Sequence, residues 1–258
     1  MNLIFDSHAH YDASWFDEDR DALLSGFPER GVCCVINAAS DLNSADKSIE
    51  LAEKYSFVYA AAGVHPQEVL SWNENSEERL LRQLSHPKVV AVGEIGLDYH
   101  YDDDAPHELQ HEVFRRQLEI AKKLDLPVVI HDREAHGDMY EILCEYAPLK
   151  GVMHCFSGSV ELARETVKLG LHIGLGGVVT FKNARVSLEV AAEVPLERLL
   201  LETDAPYLSP VPFRGKRCES PMIAHTALKI AEIRGISVDE LLTAACGNAC
   251  RLYGINLD

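Results

Sequence analysis

His8 and His10 stand one residue apart at the carboxyl end of an apolar run that begins at Leu3. In an extended strand, side chains two positions apart face the same way, so both imidazoles would aim at one point. Paired neutral imidazoles suit a divalent cation. An isolated His-X-His is equally explained by one capping and one solvent-facing histidine, so the reading depends on further donors. They recur at the ends of later apolar runs: Asn37, His65, Glu94, His131, His154 and Asp204.

Four histidines with Glu94 and Asp204 exceed what one structural tetrahedral zinc needs, and no clustered thiolates point to such a site. The set suits two divalent ions, with Glu94 giving one carboxylate oxygen to each and positions left open for water and a substrate oxygen. Asp204 is then placed to take the proton of an attacking water. Glu202, two residues back on the same expected strand, would orient a ligand from behind. Glu94 and Asp204 are thus the expected catalytic carboxylates.

The elements that must position these residues are legible as alternation. Strand-length apolar runs end at Asn37, Val64, Glu94, His131, His154, Leu175 and Asp204, after the opening run. Helical stretches are predicted over 17–30, 41–54, 77–84, 106–124, 134–146, 160–169, 223–234 and 238–250. Near-continuous apolar strands such as 31–37 mark parallel strands buried on both faces. About eight strand–helix units predict a closed (β/α)8 barrel, and the length of 258 residues is usual for one. The rival open sheet lacks its fingerprint, since Gly174-Leu175-Gly176-Gly177 has the wrong glycine spacing. No Pro- or Gly-rich linker divides the chain, so residues 1–258 are expected to form a single domain.

Several blocks resemble the TatD family of metal-dependent deoxyribonucleases. They are Asp6-Ser7-His8-Ala9-His10, Gly63-Val64-His65-Pro66, Gly93-Glu94-Ile95-Gly96-Leu97-Asp98-Tyr99, Val129-Ile130-His131, His154-Cys155-Phe156-Ser157-Gly158, Thr180-Phe181-Lys182-Asn183 and Leu201-Glu202-Thr203-Asp204-Ala205-Pro206-Tyr207-Leu208. The resemblance implies a TIM barrel of amidohydrolase type, with Zn, Mn or Mg held by His8, His10, Glu94, His131, His154 and Asp204. It further implies hydrolysis of DNA phosphodiesters, as a DNase or 3′-to-5′ exonuclease. The chain departs from the family at Arg217-Cys218-Glu219-Ser220-Pro221, where Arg-Asn-Glu-Pro is usual.

A phosphate substrate would use basic residues on the loops after the last strands, a frequent phosphate site in barrels. His65, Arg133, Lys182, Arg214, Lys216 and Arg217 are the candidates for substrate binding. Against them stands a formal charge of −17, from 41 acidic and 24 basic residues, which disfavours broad non-specific adhesion to nucleic acid. Two other readings share the metal site: an amidohydrolase or lactonase acting on a small ester or amide, and a non-catalytic metal-binding interaction protein.

Other features carry less. His107-Glu108-Leu109-Gln110-His111 matches a zinc-protease pattern, but on a helix expected in the outer layer. Seven scattered cysteines, several inside apolar strands, predict reduced thiols in a cytoplasmic protein. Cys246 and Cys250, four apart on a helix, read as packing. No secretory signal is expected, no apolar run is long enough to span a bilayer, and nothing calls for an obligate protein partner.

Overall fold

A computed structural model describes residues 4–101 and 105–257. Leu3 and the acidic run before Pro106 lie outside the described residues. Eight strands form one sheet in sequence order, each parallel to the next: β1 (Ile4–Ala9), β2 (Val32–Ala38), β3 (Val58–Ala62), β4 (Val89–Asp98), β5 (Val128–Arg133), β6 (Gly151–Met153), β7 (His172–Leu175) and β8 (Leu199–Leu201). Around them lie α1 (Arg20–Ser25), α2 (Leu42–Lys54), α3 (Ser76–Leu84), α4 (His107–Leu124), α5 (His136–Tyr146), α6 (Val160–Lys168), α7 (Arg185–Glu193), α8 (Ile223–Arg234) and α9 (Val238–Tyr253). This is a TIM barrel.

Inward-facing Phe5, Cys34, Ile36, Ala61, Ala91, Val129, Val152 and Leu200 form the barrel interior. Cys246, Ala249, Leu252 and Tyr253 of α9 continue that cluster across the amino-terminal pole, where the Tyr253 ring stacks on Phe5 at 6.2 Å. A larger apolar cluster fills the space between strands and outer helices. With one pole plugged by apolar side chains, polar chemistry is left to the carboxyl-terminal mouth.

Among the described residues, the backbone contacts that close the seam between the first and last strands lie toward that mouth. Ala9 bridges Ala205, the His10 N–H donates to the Ala205 carbonyl (2.7 Å), and the Asp204 N–H donates to the His8 carbonyl (3.0 Å). Fully buried Asp6 ties the seam from below. Its carboxylate accepts from Thr203 N (2.9 Å), Thr203 Oγ1 (2.6 Å) and Ser220 Oγ (2.6 Å).

Four expectations are corrected. The helix expected over 17–30 is only α1, because Gly26 ends it and Pro28 starts a separate 3-10 turn (Pro28–Arg30). α7 was absent from the sequence reading; it buries only Val190 and Ala191, too little apolar stripe to stand out. β4 runs on past Glu94 to Asp98. β6 and β8 stop before His154 and Glu202, since Cys155 (φ 44°) and Asp204 (φ 63°) adopt left-handed backbone that no strand accommodates. Glu202 and Asp204 therefore do not share a strand face.

Candidate metal centre

Six donors from five places in the barrel meet around Glu94, whose two oxygens face different neighbours. Oε2 lies 3.2 Å from His8 Nε2 and 3.5 Å from His10 Nε2. Oε1 lies 2.8 Å from His131 Nδ1 and 2.7 Å from His154 Nε2. Asp204 joins the first set, with Oδ1 3.3 Å from His10 Nε2 and 3.7 Å from His8 Nε2. His8 bridges the sets by stacking on His154, ring centres 3.8 Å apart.

The free lone pairs can be located by following the opposite ring nitrogens. His10 Nδ1 donates to the Ala38 carbonyl (2.8 Å), so Nε2 is the acceptor, and it faces His8 Nε2 at 3.0 Å. His131 Nε2 donates to Asp98 Oδ2 (3.2 Å), so Nδ1 carries the lone pair, and it faces His154 Nε2 at 3.2 Å. Each set thus turns ring nitrogens toward one another beside a carboxylate oxygen, an arrangement that a cation between them satisfies. The residues fit divalent metal.

The electrostatics agree. Burial alone would raise Glu94, but His154, His8 and His65 around it hold its carboxyl well below the usual range. Burial opposes charge on His10 and His131, yet the carboxylates beside them push these imidazoles up to about 10 and about 9. His8, buried and facing His154, is driven down to about 4. Asp204 stays below its ordinary value, because its bond with His10 and the charge of His154 outweigh burial. With no cation present, the His10 and His131 rings would keep a proton on the nitrogens facing the carboxylates, and a bound divalent ion would take the place of those protons.

A supporting layer holds the ligands. Asp98 also accepts from Gln67 Nε2 (2.9 Å). Two buried glutamines of α4 reach into the strand ends. Gln110 pairs with the Asp98 backbone, Oε1 accepting from N–H and Nε2 donating to C=O, each at 2.9 Å. Gln117 does the same at Val64, at 2.7 and 3.0 Å, one residue before His65. Glu202 sits against Gly174, where a Cβ would fall 2.4 Å from Oε2. It accepts from the Cys155 N–H, and Oε1 stands 3.9 Å from His154 Nδ1. Burial raises its carboxyl to about 8.

His65 enters differently from the other histidines. The Gln67 N–H donates to its Nδ1 (3.1 Å), which leaves the proton on Nε2, 3.5 Å from Glu94 Oε1. It therefore offers the cavity a hydrogen-bond donor rather than a metal ligand.

A cavity of about 610 Å³ opens over the donors, lined also by His65, Gln67, Arg133, Cys155, Tyr101 and Tyr207. Of the basic residues expected at substrate, only Arg133 joins His65 on its wall. Lys182, Arg214 and Lys216 lie outside it on exposed loops. Arg217 is turned the other way, in a two-pronged bond with Asp19 (2.8 and 2.7 Å). Asn37 is consumed by Tyr11 N, Asp12 and Ser48. In the zinc-protease-like segment, His107 stacks on Tyr99 and His111 Nε2 meets the Tyr99 hydroxyl (2.5 Å), so the two rings serve packing. All seven cysteines are free, with Cys246 Sγ 3.8 Å from Cys33 Sγ.

Asp98, Gln110 and Gln117 were missed in the sequence. Asp98 had a signal: Glu94, Gly96 and Asp98 alternate along one strand face. The glutamines recur seven residues apart within the buried stripe of α4.

A parallel eight-stranded barrel with histidines and carboxylates converging at its carboxyl-terminal mouth defines a metal-dependent hydrolase. Comparison with known proteins agrees in detail. The sequence profile described as TatD related DNase matches residues 5–254. The metal-dependent hydrolase YabD of Bacillus subtilis strain 168 is 41% identical over 256 residues, covering 98% of this chain and 100% of its own. A protein named 3′-5′ ssDNA/RNA exonuclease TatD, from Cronobacter turicensis, is 36% identical over 259 residues, 97% of each chain. The crystal structure of the TatD homologue YjjV from Escherichia coli K12 superposes with a TM-score of 0.93 at 36% identity, covering 99% of this chain and 100% of that one. The chain belongs to the TatD family.

Proposed function

We propose that this hydrolase cleaves phosphodiester bonds of DNA, removing nucleotides from the 3′ end, at a centre of two divalent ions. The observation that carries the reading is the division of Glu94 between two donor sets, with Asp204 on one of them, beneath an open cavity. His8, His10 and Asp204 would hold one ion, His131 and His154 the other, with Glu94 shared. Ions of this kind polarise a phosphoryl oxygen and make water acidic enough to give up a proton near neutral pH.

The protein's own groups supply the rest. Asp204, kept ionised, takes the proton of the attacking water. The His65 Nε2–H and the Arg133 guanidinium face the cavity as donors to phosphoryl oxygens. Asp98 fixes the His131 ring from behind, and Glu202 stands 3.9 Å behind His154 Nδ1. The exonuclease name of the Cronobacter relative supports the choice of nucleic acid. One domain over 1–258 suffices for this reading. The free cysteines suit the cytoplasm; among the described residues no helix is long and apolar enough to cross a membrane.

The test is metal-loaded protein incubated with 5′- and 3′-labelled single and double strands, beside a panel of small esters, lactones and amides. A 5′-labelled strand that shortens stepwise from its 3′ end supports the proposal. Turnover of esters or amides alone would overturn it in favour of a small-molecule hydrolase. Full metal occupancy with no turnover of any substrate would leave a binding protein.

A further inference from the structure

We infer that the wall formed by the loops after β7 and β8 is a track for the phosphates of a single nucleic-acid strand leaving the metal centre, with Arg214, Lys182 and Lys216 as its contacts. The inference rests on the phosphodiesterase reading above and names where the rest of its substrate lies.

Charge is the first observation. Many surface cations of this acidic chain are paired: Arg20 with Asp17, Arg79 with Asp46, Arg115 with Glu145, Arg164 with Glu193 and Arg217 with Asp19. Among the described residues, no carboxylate pairs with Lys182, Arg214 or Lys216, and all three are exposed. Three cations without a carboxylate partner, gathered on adjacent loops of a chain with net charge −17, make a local positive patch that attracts polyanions.

The second observation is order. The Arg214 guanidinium lies over the Phe181 ring, 3.6 Å from its centre, and Lys216 Nζ lies 5.6 Å from the centre of the Phe213 ring. Stacking fixes the plane of the arginine in advance and leaves its fork for phosphate oxygens. The loops are also tied together, since the Val211 N–H donates to Thr180 Oγ1 (2.8 Å).

Continuity with the centre is the third. Val178 and Leu208, on the same two loops, line the metal cavity. Tyr207, on the loop after β8, lines the same cavity half exposed, its ring 6.5 Å from that of His10. An exposed aromatic face beside a cationic path is how bases of a single strand are gripped without sequence choice, whereas paired bases in a duplex present no free face.

The experiment measures binding of metal-loaded protein to fluorescein-labelled phosphorothioate dT12 and to the labelled phosphorothioate dinucleotide, by anisotropy across a salt series. The variant is Lys182→Gln/Arg214→Gln/Lys216→Gln. Its affinity for dT12 should fall about tenfold, and its slope of log Kd against log salt should shrink by about 2, for three lost phosphate contacts on a single strand. Its affinity for the dinucleotide should stay within about twofold, since so short a ligand does not reach the track. Unchanged affinity for dT12, or equal losses on both ligands, would overturn the inference. Hydrolysis of unmodified dT12 by the wild-type protein is scored separately: its absence beside length-dependent binding sinks the phosphodiesterase reading and leaves the track in place.

Discussion

Asp98 lies behind His131, 3.2 Å from Nε2, while the other ring nitrogen of the same histidine faces Glu94 at 2.8 Å. The carboxylate decides which nitrogen carries the proton, and so which one can meet a cation. Replacing Asp98 by Ala removes that decision and also releases Gln67. Affinity for divalent metal should fall about 10- to 100-fold, the usual effect of losing a carboxylate behind a ligating histidine. Competition against a chromophoric chelator measures it; unchanged affinity would show that His131 needs no such partner.

Glu94 offers one carboxylate oxygen to each histidine set. Glu94→Gln leaves an amide that cannot give a charged oxygen to each. Metal analysis should find fewer than two ions retained, and hydrolysis should fall at least about 10²-fold. Chelation of the wild-type protein should abolish activity, and resupply of Zn, Mn or Mg should restore it to different degrees. Two ions retained at full activity would contradict the shared-carboxylate arrangement.

Asp204→Asn keeps the shape of the site but removes the group assigned to take the proton. The expected loss is about 10²-fold or more in kcat. Metal content must be checked alongside, since Asp204 also belongs to the His8–His10 set. Near wild-type turnover with metal bound would reassign the base.

Much of this centre could be read without coordinates. His8, Glu94 and His131 close apolar runs, and strand ends of a parallel barrel converge whatever loops lie between. Asp98 was overlooked because β4 was expected to stop at Glu94, although the Glu94, Gly96, Asp98 alternation carried it. Lys182, Arg214, Lys216 and Arg217 were legible as basic loop residues, but the direction of a long side chain on a loop is set by neighbours such as Asp19 and Phe181, which no periodicity reveals. Glu202 and Asp204 were separated by a left-handed backbone turn that two-residue alternation cannot anticipate.

Far from the centre, His172 gives a pH prediction. Burial, reinforced by Arg198 and Arg251, pushes its imidazole down to about 4, while in the unfolded chain it keeps an ordinary value near 6.5. Between those values the unfolded state takes up a proton that the folded state refuses, so stability falls as pH drops from 6.5 toward 4. At this part-buried position the effect is about 1 kcal/mol, or about 2–4 °C in Tm for a chain this size. His172→Gln, which can still donate to the Gly151 carbonyl, should lose less Tm than wild type between pH 7 and pH 5; parallel scans with the same slope would exclude the histidine.

Asp6 offers a stability test at the seam. Asp6→Asn turns an amide donor toward Thr203 Oγ1 and Ser220 Oγ, both of which now donate to it. The buried mismatch should cost about 1–3 kcal/mol, seen as a lower midpoint in urea. A midpoint within error of wild type would mean that the two hydroxyls simply reverse.

That seam also fixes when the protein can begin to work. His8 and His10 precede Asp204 and the Thr203 and Ser220 contacts that dock it by most of the barrel's strands. A chain without them, however well its early strands have paired, lacks one wall of its own reaction chamber. The metal centre therefore assembles only once residues from both sides of the seam are present.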